Sequence, residues 1–209
     1  MQANTMPAVQ YTVWPDDLHG HRFTVKLVIE NPDPAGQIIA MPAWIPGSYL
    51  IRDFSKQIET ITAFTSVKKT ELRKLIPLER LDNDRWRLPK NIGSCEIITT
   101  VYAFDQSVRA AYLDQNRGFF NLTSLCLGVQ GQAHLPCSLA IAPPADQALL
   151  QWDVQCTLTP VKTDSNGFGF YLAKNYDDLI DHPIALGRFD VIEWEVFGTN
   201  HAMVIQGLS

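Results

Sequence analysis

Apolar and polar side chains alternate along much of this chain. In the segment 22–30, Phe23, Val25, Leu27 and Ile29 take every second position, with polar or charged residues at most positions between them. A period of two puts one set of side chains on a buried face and the other in solvent, which is typical of a β-strand. Similar runs predict further strands at 58–64, 86–88, 96–104, 122–129, 138–141, 152–158, 168–172 and 189–197.

Short segments rich in turn-forming residues separate these runs. The strongest turn signal is Asn166-Gly167, because this dipeptide tolerates the positive φ of a tight hairpin turn. About ten strands at this spacing predict an all-β protein, either a β-sandwich or a large curved antiparallel sheet.

The run at 189–197 changes phase. Phe189 and Val191 occupy odd positions, whereas Trp194 and Val196 occupy even ones, with Ile192 starting the new phase. We expect a β-bulge near 191–192 that returns the apolar side chains to the core.

Helical patterns are scarce. Leu50, Phe54 and Ile58 are spaced four apart after Ser48, which is a possible N-cap. A second short turn is predicted at 175–181, which has acidic residues near its start and a proline beyond its end. The fold should therefore contain one or two short helical turns.

Charge and composition exclude several classes of partner. The 209 residues carry a formal net charge of -5 and give a pI of about 5.5. Nucleic acids and anionic membranes attract concentrated positive charge, so we expect neither as a partner. The longest apolar stretch, at 38–46, is also far shorter than the roughly 20 residues of a membrane span.

The four cysteines, Cys95, Cys126, Cys137 and Cys156, are widely spaced and form no C-x-x-C pair. The N-terminus shows no basic and apolar pattern of an export signal, so we expect reduced, buried thiols and a cytoplasmic location. Disulfide pairing after an unseen leader is the alternative.

Motifs of self-sufficient catalysis are missing from the sequence. Neither H-E-x-x-H, which binds zinc on one helical face, nor the G-x-S-x-G nucleophile elbow occurs. Two aromatic segments, 42–49 and 117–121, are harder to explain by core packing alone. They are either a rigid corner and a buried strand start, or a preformed surface for a partner domain or ligand.

Several separated motifs resemble those of one family. Residues 42–54 read PAWIPGSYLIRDF, which fits the pattern P-x-W-x-P-G-S-Y-x-I-R-x-F. The sequence YLD at 112–114 leads into GFFNLTS at 118–124, and YDDLIDHP at 176–183 is followed by GRF at 187–189. In this order they resemble the N-terminal domain of the glycyl-aminopeptidase family of zinc metallopeptidases.

The resemblance implies a protein of several domains. These are a β domain similar to that of aminopeptidase N, a thermolysin-like catalytic domain with H-E-x-x-H, and a PDZ domain. It also implies zinc in the catalytic domain and peptide substrates with a small N-terminal residue. No position here matches the zinc ligands or the glutamate base, so we expect no cofactor and no catalytic residue in this chain. Residues 1–209 would then be a single N-terminal β domain of a longer metallopeptidase.

By its order along the chain, the segment after 120 corresponds to the part of the similar aminopeptidase N domain that lines the substrate cleft. Asn121, Thr123 and Ser124 are therefore candidate substrate-binding residues, since their oxygens could accept from a peptide ammonium group. The alternative is that these side chains only satisfy backbone groups at a strand end.

The segment around residue 46 is a candidate docking face for the catalytic domain. Its candidate interface residues are Trp44, Pro46, Tyr49 and Arg52. The resulting hypothesis is a non-catalytic domain of a zinc aminopeptidase that packs on the catalytic domain and forms part of the cleft wall. The competing hypothesis is a free-standing β-sandwich that binds a peptide or a glycan.

Overall fold

A computed structural model of the chain describes residues 7–45, 48–66 and 73–207. Strands account for 46% of these residues and helices for 8%, which confirms the all-β prediction. The strands, in chain order, are β1 (Val9–Asp17), β2 (Arg22–Ile29), β3 (Ile38–Ala40), β4 (Ile58–Thr65), β5 (Leu75–Ile76), β6 (Glu79–Arg80), β7 (Arg85–Arg87), β8 (Cys95–Tyr102), β9 (Ala111–Leu113), β10 (Arg117–Phe120), β11 (Gly128–Val129), β12 (Cys137–Ile141), β13 (Asp153–Gln155), β14 (Thr159–Thr163), β15 (Gly169–Ala173), β16 (Ile184–Gly187), β17 (Asp190–Val196) and β18 (Thr199–Ile205).

The helices are short, as expected. They are α1 (Gln147–Leu150), α2 (Tyr176–Ile180) and two 3-10 helices, Phe54–Gln57 and Leu122–Ser124. The helical turn predicted at 175–181 is confirmed as α2, where the Asn175 side chain caps the helix by accepting from the Asp178 N–H at 2.8 Å. The helical pattern at 50–58 gives only the 3-10 turn Phe54–Gln57.

The largest sheet has eight strands in the order β14-β15-β12-β1-β2-β8-β4-β5. Its pairs are antiparallel except for β1 and β12, which run parallel. Strand β1 was missed in the sequence, although Val9, Tyr11 and Val13 alternate there and are buried. The Asn166-Gly167 turn is confirmed: it lies between β14 and β15, and Gly167 has a φ of 84°.

Two four-stranded sheets cover one face of the large sheet. Their orders are β13-β16-β10-β9 and β11-β3-β7-β6. The buried face of β2 reaches the first of them, because the rings of Phe23 and Phe120 meet with centroids 5.0 Å apart. On the same face, the Tyr11 hydroxyl donates to the Leu127 carbonyl at 2.7 Å and so ties β1 to the segment before β11. The hydrophobic core lies between these layers.

The strand predicted at 122–129 is wrong for most of its length. Residues Leu122–Ser124 form a 3-10 turn, and only Gly128–Val129 pair as a strand. The turn is closed by the Asn121 carbonyl, which accepts from both the N–H and the hydroxyl of Ser124. Every side chain from Leu122 to Leu127 is buried, and an unbroken buried run carries no period that separates a strand from a compact turn.

The predicted bulge near 191–192 is also wrong. Strands β17 and β18 pair without a register shift from Asp190 to Val196. The apolar side chains of this hairpin are exposed rather than returned to the core. A bulge is not needed to turn the apolar side chains toward the core, because the described sheets do not bury either face of the hairpin.

Candidate functional site

The segment between β3 and the Phe54–Gln57 turn is held by its own hydrogen bonds. The Trp44 indole N–H donates to the Ser48 carbonyl at 2.8 Å, and the Ser48 N–H donates to the Ile45 carbonyl at 3.1 Å. At the end of the segment, the Arg52 N–H donates to the Ala43 carbonyl at 2.6 Å. These bonds hold the described ends of the segment together, and we call the segment the corner.

Most apolar side chains of this corner face solvent. Trp44 is half exposed, and the side chains of Tyr49, Leu50 and Ile51 are largely or fully exposed. We call Trp44, Tyr49, Leu50 and Ile51 the corner patch. Pro46, the other predicted interface residue of this corner, lies outside the described residues. Clustered apolar side chains on a surface are typical of contact sites for other protein surfaces.

Asn121, Thr123 and Ser124 lie at the end of β10 and in the 3-10 turn, and all three are buried. The Asn121 amide nitrogen donates to the Val108 carbonyl at 2.5 Å, and the Ser124 hydroxyl donates to the Asn121 carbonyl at 2.7 Å. The Thr123 hydroxyl is buried without a hydrogen-bond partner among the described residues. Two of these three side chains therefore already serve the local backbone.

A cavity of about 270 Å³ lies between the corner and this turn. Its lining includes Arg52, Asp53, Lys56, Asp105 and Ser124. Arg52 and Ser124, predicted for separate roles, thus face the same space, whereas Trp44, Tyr49, Asn121 and Thr123 are not part of its lining. The Arg52 Nε is buried and has no partner within the described ranges, so one donor at this cavity is unused.

The cavity is small and of mixed charge. Ligand pockets usually hold roughly 300–1,000 Å³, so this space suits one side chain or chain end rather than a cofactor. Two cations, Arg52 and Lys56, and two carboxylates, Asp53 and Asp105, surround it. Sequence reasoning missed the lysine and both acids, and no motif signal singles them out as cavity residues.

Electrostatics do not favour a cysteine nucleophile. Burial raises the pKa of Cys95 and of Cys137 to about 12, and burial raises the pKa of Cys126 as well. The thiolate is the reactive form, so these thiols are inert near neutral pH. All four cysteines are free. The prediction of buried thiols is confirmed for Cys95, Cys126 and Cys137, whereas Cys156 is only partly buried.

The side chains that the structure describes do not fit a zinc site. In the ranges that the structure describes, no group of three or more His, Cys, Asp or Glu side chains is arranged to hold a metal ion. We therefore assign no step of metal chemistry to these side chains. Within the same ranges, none of the helices has the length and apolar character needed to cross a membrane.

Two comparisons with known proteins find matches that cover most of the chain. The sequence model of the Peptidase M61 N-terminal domain matches residues 10–188. Among solved structures, the chain is similar to an aminopeptidase N family protein from Idiomarina loihiensis, with 41% sequence identity and a TM-score of 0.86. The similarity covers 95% of this chain and 32% of that protein, so the chain spans about a third of its length. No curated protein matches the chain significantly. Because the match extends over most of its residues, the chain belongs to the family of Peptidase M61 N-terminal domains.

Proposed function

We propose that this chain is the non-catalytic N-terminal domain of a zinc-dependent aminopeptidase, packs on the catalytic domain and contributes to the wall of the substrate cleft. The observation that carries the proposal is the corner patch, an exposed apolar surface on a member of a peptidase domain family. A catalytic domain of the same protein would cover this surface.

The described part of the corner is suited to docking because hydrogen bonds restrain its backbone. The Arg52 N–H donates to the Ala43 carbonyl within this chain, without any partner. Preorganised surfaces lose less conformational entropy on association, so more of the energy of burying apolar area remains as affinity. Tyr49, which is fully exposed, would gain the most burial.

The cavity supports the proposed role in the cleft wall. Leu50 and Ile51 of the corner patch belong to its lining, together with Arg52 and Ser124. Its small volume matches a peptide end with a small first residue better than a bulky one. The Asn121 carboxamide oxygen keeps its acceptor capacity, because that side chain uses only its nitrogen toward Val108. The Thr123 hydroxyl, which has no hydrogen-bond partner among the described residues, is the third candidate. Asn121 and Thr123 are buried outside the cavity lining, so a peptide would reach them only if the cavity extended toward the 3-10 turn.

Zinc belongs to the proposed catalytic domain, where it would polarise the peptide carbonyl and lower the pKa of bound water. A PDZ domain is part of the same proposal. The role of this chain is to support the catalytic domain and to shape its substrate cleft. Its four free thiols fit a reducing compartment such as the cytoplasm.

The first test compares two proteins. The 209-residue chain should not hydrolyse alanyl or glycyl p-nitroanilide with or without added zinc, whereas the protein encoded by the whole reading frame should hydrolyse both. Activity of the 209-residue chain alone would contradict the non-catalytic assignment. A reading frame without an H-E-x-x-H segment would contradict the zinc peptidase assignment.

The second test addresses the corner patch. In the longer protein, Leu50→Ser should loosen the contact between the domains and lower the temperature at which the catalytic domain unfolds. The matched control is Leu75→Ser, since Leu75 is about as exposed as Leu50 but lies on the short edge strand β5. Equal effects of the two substitutions would contradict docking through the corner.

The exposed aromatic residues also favour a second candidate, a free-standing peptide-binding or glycan-binding module. Saturable binding of a peptide or glycan by the 209-residue chain, abolished by Trp44→Ala, would support this candidate. It would also contradict a corner patch that is covered within the same protein.

A further inference from the structure

The last two strands of the described chain form a hairpin that leaves the body of the fold. Strands β17 and β18 pair with each other and with no other described strand. Their connection is Phe197-Gly198, with φ values of 51° and 78°. Positive φ at both positions is what a two-residue type I′ turn requires, so the hairpin is locally well formed.

One face of this hairpin is apolar. Directly paired residues share a face, and the pairs Ile192–Met203, Trp194–His201 and Val196–Thr199 lie on the same side. The indole of Trp194 stacks on the His201 imidazole, with centroids 5.6 Å apart. The opposite side is mixed: it carries Glu193, Glu195 and Asn200 together with the exposed pair Val191–Val204. We call the apolar side, formed by Ile192, Trp194, Val196, His201 and Met203, the hairpin face.

The hairpin face has no cover in the described structure. Ile192 is 53% exposed, Met203 50% and Trp194 42%. An isolated two-stranded hairpin is at best marginally stable in water and needs a third strand or a packing partner. Both outer edges of the hairpin also present unpaired backbone groups, which are a template for adding a strand.

The hairpin also lies outside the family's domain. The family match ends at residue 188, and β17 begins at Asp190. At this boundary, the Arg188 guanidinium donates to the Leu150 carbonyl at 2.7 Å and to the Leu149 carbonyl at 3.1 Å, which fastens the end of the matched region to the sandwich. The similar solved protein is about three times as long as the matched region, so this kind of domain also occurs within a larger polypeptide.

We infer that the β17–β18 hairpin is the first sheet element of the next domain rather than the last element of this one. Its occupant is the polypeptide that follows Ser209. A strand of that segment pairs with an outer edge of the hairpin, and its apolar side chains pack on the hairpin face. The inference rests on the proposed function only in requiring that polypeptide, and it moves the structural boundary of this domain to about residue 188.

Hydrogen exchange is the direct test. Amide exchange of residues 190–205 is compared between the 209-residue chain and the protein encoded by the whole reading frame. We expect slower exchange in the longer protein by about 100-fold or more, because the hairpin joins a cooperatively folded sheet. The amides of β1 and β2 serve as the internal reference and should differ little. Equal exchange of the hairpin in the two proteins would overturn the inference, as would a reading frame that ends at Ser209.

A substitution in the hairpin face distinguishes packing against the following polypeptide from simple covalent attachment to it. Trp194→Asp in the longer protein should restore fast exchange in the hairpin and lower the melting temperature of the following domain. In the 209-residue chain it should leave the melting temperature of the sandwich unchanged. Glu195→Gln, on the opposite side of the same strand, is the matched control and should change neither. Loss of sandwich stability on Trp194→Asp would overturn the inference.

The outcome is independent of catalysis. Protection of the hairpin in a longer protein without peptidase activity would support this inference and contradict the proposed function. Peptidase activity of the longer protein without slower exchange in the hairpin would support the proposed function and contradict this inference. If protection arises instead in a dimer of the 209-residue chain, seen by light scattering and lost on Trp194→Asp, then the occupant is a second copy and the inference is wrong.

Discussion

The ring of Phe23 in β2 meets the ring of Phe120 in β10 edge to face, with centroids 5.0 Å apart and planes at 67°. Both rings are fully buried, and each belongs to a different layer of the sandwich. Edge-to-face pairs add to the energy of burial, so this contact stabilises the packing of the large sheet on the sheet that leads to the candidate site. Asn121 follows directly after Phe120, which connects the packing of the layers to the position of the 3-10 turn.

Phe120→Ala should destabilise the folded chain by about 3–5 kcal/mol, because it removes the aromatic contact and leaves a cavity between the layers. Urea unfolding followed by tryptophan fluorescence measures this change. Phe170→Ala is the matched control, since Phe170 is 44% exposed on β15 and its loss should cost only about 1 kcal/mol. Similar losses for both variants would show that the layers do not depend on this contact.

Asp114 gives a prediction about pH. Burial alone would raise the pKa of its carboxyl, but hydrogen bonds from the Asn116 N–H, the Tyr112 hydroxyl and the Arg117 N–H outweigh burial and lower the pKa. The folded pKa thus lies below the unfolded value of about 3.9. The stabilisation is therefore fully present above the unfolded pKa and is lost as pH falls through the folded pKa.

Asp114→Asn should accordingly cost about 1 kcal/mol at pH 7, the usual net value of such hydrogen bonds. The difference from the parent chain should narrow as pH falls from the unfolded value of about 3.9 through the lower folded pKa. Free energies of unfolding measured across this range check the prediction. Asp146→Asn is the control, because the exposed Asp146 side chain makes no capping hydrogen bond in α1. A difference in the free energy of unfolding between Asp114→Asn and the parent chain that stays constant with pH would contradict this prediction.

The cysteines should differ in reactivity. Cys126 is fully buried and burial raises its thiol pKa strongly, whereas Cys156 is only partly buried. Iodoacetamide at pH 8 should therefore label Cys156 first and leave Cys126 unmodified in the native chain. Peptide mass spectrometry follows the labelling, and all four thiols should react in guanidinium chloride. Equal labelling rates of the two thiols in the native chain would contradict this account.

Alternation was sufficient to predict strands that are buried on one face. Strand β2 follows its pattern along its whole length, since Phe23 to Ile29 face the core at every second position. The run from Leu122 to Leu127 carries no such information, because all its side chains are buried. The prediction of a bulge in β17 failed for another reason. The alternation in β17 is visible in the sequence, but the sequence does not say whether this domain or another part of the protein covers its apolar side.

The site was predictable in parts and not as a whole. The motif at 42–54 identified Arg52, and the motif at 118–124 identified Ser124, yet only tertiary packing brings them to one cavity. Lys56 and Asp105 join them there without any motif of their own. Their positions depend on how the Phe54–Gln57 turn sits against the loop after β8, which no local pattern encodes.

Gly169, at the start of β15, should not tolerate a side chain. Its φ of 141° lies in a region that other residues avoid, and an added Cβ would overlap with the Lys162 backbone carbonyl of the neighbouring strand. Because backbone atoms cannot move aside without breaking the β14–β15 pairing, Gly169→Ala should cost at least about 2 kcal/mol. Gly93→Ala is the matched control, since nothing lies within 4 Å of a Cβ there, and it should change stability by about 0.5 kcal/mol or less. The midpoints of urea unfolding measure the stability change of both variants, provided that the dependence of the unfolding free energy on urea is unchanged. Equal losses for the two variants would contradict the close approach of β14 to Gly169.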